Sequence, residues 1–338
     1  MNKYNFIVGN PPYQNNSKVL YDKMMLRFFD LDYDELSMII PNRYMISTLK
    51  KFRNIIQNHP MLYKIIEYPD DFEVFPEVWI RGGVQIITFR KSNENKKDIL
   101  YQQIMHGKII RDCTREKNNI KKYDIIIRDP EDEEIIDTIT KMNPNKIQIS
   151  NVSFDIKSDY ADYAEHPFEN CIKLYGQRQK MIPKNGGIKG IGYIKGEYKH
   201  LNKYKVITRI ATSNNSKRAI NPVFIIEKNA VCSDTYKVLG LFDNLKDAEN
   251  FCLYISTKFV RYLVNIRKIG VMLRNENFNF VPEPIGLCTD SDLLQYYKLE
   301  KYTNKIQNTI IDRKVNHIDK EQYPRDTNLW VNKVKWVD

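Results

Sequence analysis

The sequence predicts an α/β domain followed by an α+β domain, on three observations. Up to about residue 90, short apolar runs alternate with segments of helical spacing, the pattern of an α/β layer. Near Ser150 the texture changes: tyrosine and lysine become frequent, and six of the thirteen glycines fall between Gly176 and Gly196, so short strands and loops are expected there. A chain of 338 residues is long enough for about two domains. The boundary is expected near Ser150, separating 1–149 from 150–338.

Taken in order, Tyr4–Val8 is a short apolar run, hence a strand, closed by Gly9-Asn10-Pro11-Pro12. Neither proline can extend a helix or a central strand, so a loop must follow. Val19–Leu31 carries Leu20, Met24, Phe28 and Leu31 at helical spacing. Leu36–Ile40 is a second strand, stopped by Pro41. Leu49–Gln57 reads as a helix with Phe52, Ile55 and Ile56 on one side. Leu62–Tyr68, Gly83–Phe89, Ile99–Met105 and Tyr123–Ile127 read as strands, Asp112–Lys122 as a charged connector, and Glu133–Met142 as a helix. From Asn244 to Ile266, apolar residues recur every three or four positions, predicting one long helix with Asn244 as its N-cap.

Composition narrows the function. With 42% hydrophobic and 28% charged residues, the chain is an ordinary globular one. It contains no apolar run of the ~18 residues a membrane helix needs, and its start lacks the pattern of a secretory signal. Five cysteines, Cys113, Cys171, Cys232, Cys252 and Cys288, lie far apart with no CxxC. That spacing predicts reduced thiols in a cytoplasmic protein, with neither a disulfide framework nor a zinc site. The formal net charge is +11, which favours a polyanionic partner. From Arg178 to Arg218 eleven Lys/Arg face a single acid, Glu197. Arg178, Lys180, Lys189, Lys195, Lys199, Arg209, Lys217 and Arg218 are therefore candidate phosphate contacts on DNA, interleaved with Tyr193, Tyr198 and Tyr204.

Asn10-Pro11-Pro12-Tyr13, set directly after a strand, is the segment with chemistry. The Asn10 side-chain oxygen and the Pro11 carbonyl are two acceptors close together. They suit an amino group with two hydrogens, and holding both leaves the nitrogen lone pair free to attack an electrophile. Tyr13 offers a flat face to a planar ring. The set fits an exocyclic amine on a base turned out of a duplex.

FIVGNPPYQ resembles the catalytic motif of the adenine-specific DNA methyltransferases of restriction–modification systems. ELSMIIPNRYMIS resembles their next strand and its loop, and KIIEYPDDFEVFPEVWIRGGVQIITFRK their closing antiparallel hairpin. VCSDTYKVLGLFDNLKDAENFCLYISTKFVRYLVNIRK, ending at FNFVPEP, is similar to the target-recognition region of the type II restriction–modification methylase family. The resemblance implies a partial methyltransferase (Rossmann-like) sheet followed by an α+β target-recognition domain. It also implies methyl transfer from S-adenosylmethionine to a flipped adenine of double-stranded DNA, without a metal. Asn10 and Pro11 would hold the amine, Pro12 would shape the turn, and Tyr13 would stack on the base. Asn42 and Arg43 are candidates to line the same pocket.

One part of that pattern is missing. The family holds its cofactor on a strand followed by a glycine-rich turn, usually well before NPPY, and here nine residues precede Asn10. Gly190-Ile191-Gly192 is the nearest match, but it sits in the basic window and reads as a flexible loop facing DNA. The expectation is therefore that a second protein chain carries the cofactor-binding half. Two alternatives stay open: a non-catalytic DNA-binding or specificity subunit, and an inactive truncated methylase. Under the first reading Tyr4–Val8 is an uncovered apolar sheet edge.

Overall fold

A computed structural model describes residues 3–16, 18–45, 49–78, 80, 82–94, 96–157, 159–160, 162–176, 190–212, 218–268 and 271–310. The chain forms two compact units, Met1–Ile135 with Ile266–Val271, and Ile136–Asn265 with Met272–Asp338. Both are of the class the sequence predicts.

In the first unit, β1 (Lys3–Gly9) is followed by a small hairpin, β2 (Gln14–Asn15) and β3 (Lys18–Val19), then α1 (Tyr21–Phe29) and β4 (Asp32–Pro41). Next come α2 (Lys50–Asn58), β5 (Leu62–Tyr68), β6 (Val84–Arg90), β7 (Asp98–Met105), β8 (Lys108–Glu116) and α3 (Lys117–Lys121). One six-stranded sheet has the order β1-β4-β6-β5-β7-β8. The pairs β1–β4 and β5–β7 are parallel, and β6 is antiparallel to both β4 and β5. The carboxyl ends of β1, β4, β5 and β7 therefore share one edge of the sheet.

Burial alternates along β4 and β5, as period-2 patterning requires. Leu36, Met38, Ile40, Ile65, Ile87 and Phe89 form the core with Tyr21 and Met25 of α1, Phe52 and Ile56 of α2, and Ile120 of α3. The two edges of the sheet differ. Beyond the exposed Ile109 and Ile110, β8 carries Arg111, Asp112, Arg115 and Glu116, the kind of charge that discourages strand addition. By contrast β1 has apolar residues and no charge after Lys3. Its outer edge is unpaired among the described residues, and Tyr4, Phe6 and Val8 are 41%, 71% and 75% exposed.

Two expectations for this unit are corrected. Asp112–Lys122 is not a connector: most of it is β8 and α3. His106 (φ 53°) and Gly107 (φ 68°) make a two-residue turn with both φ positive, a geometry that joins strands into a tight hairpin. The inward charges of β8 are paired, Arg111 with Asp129 at 3.2 Å and Arg115 with Glu133. Tyr123–Ile127 is not a strand, although Ile125, Ile126 and Ile127 are buried. Side chains take the places of a ladder there, Gln57 donating to Tyr123 O at 3.3 Å and Arg115 to Ile127 O. The expected helix after it is α4 (Pro130–Met142), with Glu131, Asp132 and Glu133 in its first turn, where acids complement the helix dipole.

The second unit holds β9 (Ile172–Tyr175), β10 (Ile191–Ile194), β11 (Tyr204–Arg209), β12 (Val223–Ile226), β13 (Ala230–Cys232) and β14 (Tyr236–Phe242). Helices α5 (Leu245–Ser256), α6 (Lys258–Arg267), α7 (Asp290–Tyr296) and α8 (Thr303–Thr309) follow. Its sheets are β10-β9-β13 and β12-β11-β14. Asn244 caps α5 as expected, its Oδ1 accepting from Asp247 N at 2.9 Å. The single long helix is two, however, broken at Thr257. The Thr257 hydroxyl accepts from Val260 N at 3.2 Å, and Asp290 accepts from Lys258 N and Phe259 N at 3.1 and 2.7 Å. Together they cap a new helix start. Helical periodicity carries across such a break, so the pattern alone does not reveal it. Among the described residues no helix is long and apolar enough to cross a membrane.

Candidate amine-binding loop and basic surface

Asn10–Tyr13 leaves β1 at the shared carboxyl edge. Loops at such strand ends are where open α/β sheets place ligands. Gly9, the last residue of β1, lies against Met38, and a Cβ there would come within 3.3 Å of the Met38 sulfur. Pro11 is buried and anchors the turn, while Asn10 and Pro12 are exposed. The Tyr13 carbonyl accepts from Leu20 N at 3.1 Å, so the β2–β3 hairpin folds back and closes the loop.

Tyr13 is half-buried. Its ring stands edge-on to Tyr21 at 6.3 Å and to Phe75 at 6.4 Å between centroids, separations at which aromatic pairs attract. Its hydroxyl is enclosed without a hydrogen-bond partner, and burial pushes it up to about 12. Tyr13 therefore stays neutral across the physiological range. Behind it the rings continue, Tyr21 to Phe52 at 5.7 Å and Phe52 to Tyr44 at 5.4 Å. This run fixes the Tyr13 ring against the core.

Phe75 carries no motif that marks it in the sequence. It sits on the long loop between β5 and β6. That loop is tied at its neck, because Asp71 Oδ2 accepts from Ile80 N and Asp71 O accepts from Phe75 N at 2.8 Å. Glu73 accepts from His106 N and from Gly107 N, the latter at 3.0 Å. The available signal was an aromatic residue beside a proline, Phe75-Pro76, in a loop after a strand. Nothing local in the sequence brings that loop to Tyr13, since the neighbourhood is made by the sheet order.

Asn42 and Arg43 follow β4 at the same edge. Arg43 is exposed. Asn42 is fully buried, and its amide donates to Glu67 and to Gly82 O, each at 3.2 Å. It belongs to the polar layer under the loops rather than to an open pocket wall.

No residue described at this edge forms a glycine-rich cradle for a cofactor. Gly82 and Gly83 lie there, but a Cβ on Gly83 would fall 2.2 Å from Tyr68 O and 2.8 Å from Pro69 O, so backbone already fills the space. Gly190-Ile191-Gly192 is not the DNA-facing loop expected. Gly192 lies in β10, buried against the Tyr163 ring, 2.8 Å from where a Cβ would be. The residues described therefore do not fit S-adenosylmethionine by themselves.

Of the basic window, Arg178, Lys180, Lys189 and Lys217 lie outside the described residues. Lys195, Lys199 and Arg218 are exposed and Arg209 is half-buried. The Lys195 ammonium lies 5.5 Å from the Phe168 ring centre. Two cations counted in the sequence do not add freely to this surface. Lys203 pairs with Asp243. Lys205 is fully buried, donating to Lys203 O at 2.9 Å, and burial pushes its ammonium down to about 8.

No protein-family model matches the chain. A protein of Mycoplasma pneumoniae described as an uncharacterized adenine-specific methylase is 29% identical over 106 residues, 28% of this chain and 25% of that protein. The matched stretch thus spans a quarter of that relative's length. Among solved structures, the type IIL restriction-modification enzyme MmeI in complex with DNA is similar over 94% of this chain and 56% of that one (TM-score 0.39, 9% identity). The type IIG restriction endonuclease BpuSI matches over 78% and 42% (TM-score 0.30, 12% identity). The methyltransferase subunit of a type I restriction-modification system from Streptococcus thermophilus matches over 37% of each chain (TM-score 0.28, 11% identity). Over part of its length, the chain is thus similar in sequence to an adenine-specific methylase.

Proposed function

We propose that this chain is the amine-binding component of a site-specific, adenine-specific DNA methyltransferase of the restriction–modification type. The observation that carries the reading is the Asn10–Tyr13 loop. It stands at the carboxyl ends of parallel strands, Asn10 is exposed, and the rings of Tyr13 and Phe75 meet edge-on beside it. Asn10 Oδ1 and Pro11 O accept the two hydrogens of an adenine amine, and Tyr13 stacks on the base. Phe75 supplies an apolar wall that excludes water. S-adenosylmethionine supplies the methyl group when bound. With no cradle for it among the described residues, its binding half comes from another segment or a second protein chain.

The deciding experiment is methylation of duplex DNA by the purified chain with and without the product of the adjacent gene, using labelled S-adenosylmethionine. Incorporation into adenine only with the second protein supports the reading. A chain that binds duplex DNA specifically yet never methylates it in any combination would favour a non-catalytic specificity subunit.

In this reading the basic window of the second unit lies on the phosphates of duplex DNA. Replacing Lys189, Lys195 and Arg209 with Ala weakens duplex binding. It also lowers the slope of log affinity against log salt by roughly one for each phosphate no longer neutralised. Titrations between low and moderate salt check it, and an unchanged slope would remove the window from the interface.

A further inference from the structure

Asn42 is bonded in a way that stability does not explain. It follows β4, fully buried, and its Nδ2 gives one hydrogen to Glu67 Oε1 and one to Gly82 O, both at 3.2 Å. Its own backbone N–H donates to Gly83 O at 3.0 Å. Turning the amide over would set its oxygen against two acceptors, so the orientation is fixed. The cost falls on Oδ1, which is buried with no partner, an arrangement that native structures avoid.

The partner of Asn42 is held hard in place. Glu67 is buried in β5 and receives Tyr101 OH, Gln103 Nε2 at 3.2 Å and Arg128 at 3.1 Å besides Asn42. Four donors on one carboxylate make a rigid anchor. From that anchor Asn42 reaches Gly82 and Gly83, at the end of the 69–83 loop. The body of the same loop carries Phe75, whose ring packs edge-on with Tyr13 at 6.4 Å between centroids.

We propose that Asn42 is a positioning residue: with Glu67 it fixes the far end of the 69–83 loop, and so sets where the Phe75 ring meets the Tyr13 ring. This rests on the reading of Asn10–Tyr13 as the base-binding loop. It changes the part expected of Asn42, which grips the loop from behind and does not touch the base. Groups that must be held to a fraction of an ångström are often supported by buried polar partners of this kind.

The test uses a duplex with 2-aminopurine opposite an abasic site, compared with a fully paired duplex of the same sequence. An unpaired base is already free to leave the stack, so the preference for the first duplex reports the base pocket rather than the phosphate surface. Asn42→Ala and Asn42→Ser are expected to lose the preference by about tenfold while melting within a few degrees of the full chain, since each also removes the unpartnered oxygen. Phe75→Ala is expected to lose it similarly. The double variant Asn42→Ala/Phe75→Ala should lose no more, because both changes undo one ring contact. A purely structural role would lower the melting temperature and multiply with Phe75→Ala. Wild-type preference in both Asn42 variants, or losses that multiply, would overturn the proposal while the base-pocket reading stands. If Tyr13→Ala keeps the full preference, that reading falls and the positioning role with it.

Discussion

Asn10→Ala and Tyr13→Ala reduce methylation to background in any reconstituted complex, yet leave duplex affinity within a few-fold of wild type. The reason is a division of labour. Phosphate contacts set most of the affinity for DNA, whereas Asn10–Tyr13 acts only on a base already out of the stack. Removing the Asn10 acceptor leaves the amine without the partner that aligns its lone pair. Removal of one preorganised polar group at a reacting centre costs about 100-fold or more in rate. Removing the Tyr13 ring forfeits base stacking worth about 1–3 kcal/mol and opens the run of rings behind it. Methylation assays at saturating DNA, with binding measured separately, check both. Full activity in Asn10→Ala would strip that residue of its chemical role.

The second large effect is expected at β1. Phe6→Lys with Val8→Lys should make the isolated chain more soluble and abolish the gain in cofactor binding that a partner confers. One side of β1 is paired to β4, while the other leaves backbone N–H and C=O groups without partners among the described residues, beside apolar side chains. Such groups need pairing or cover. Lysine on an edge strand hinders strand addition, which is the means β8 already uses. Calorimetry with S-adenosylmethionine, on the chain alone and with the adjacent gene product, checks this. Micromolar cofactor binding by the chain alone, or undiminished complementation by the double lysine variant, would show that β1 is not the docking edge.

The fold was legible where one physical signal dominated. β1, β4, β5, β6 and β7 announce themselves as apolar runs bounded by turns, and α1 and α2 by their periodic stripes. What escaped had its cause elsewhere in the chain. β8 looks like a polar connector because its inward arginines are neutralised by Asp129 and Glu133 (residues outside the strand). Ile125–Ile127 is as apolar as a strand, but side-chain donors from Gln57 and Arg115 serve its neighbouring carbonyls. The same holds at the proposed site. Asn10–Tyr13 is proposed from four adjacent residues. Phe75, Glu67 and the grip of Asn42 depend on a strand order that places β6 between β4 and β5, and no short window of sequence records that order.

The buried ammonium of Lys205 has a use of its own. Lys195 and Lys199 stand in water and meet an amine-directed reagent as fast as it diffuses to them. Lys205 lies on β11, the central strand of its sheet, and is fully buried, so the reagent reaches it only while the packing over that strand is open. The lag between acylation of Lys195 and acylation of Lys205 is thus a clock for how often the second unit breathes open. Acylation removes the ammonium charge and adds bulk where Leu201 O and Lys203 O accept from the amine, so each opening that is caught leaves a permanent mark on the chain.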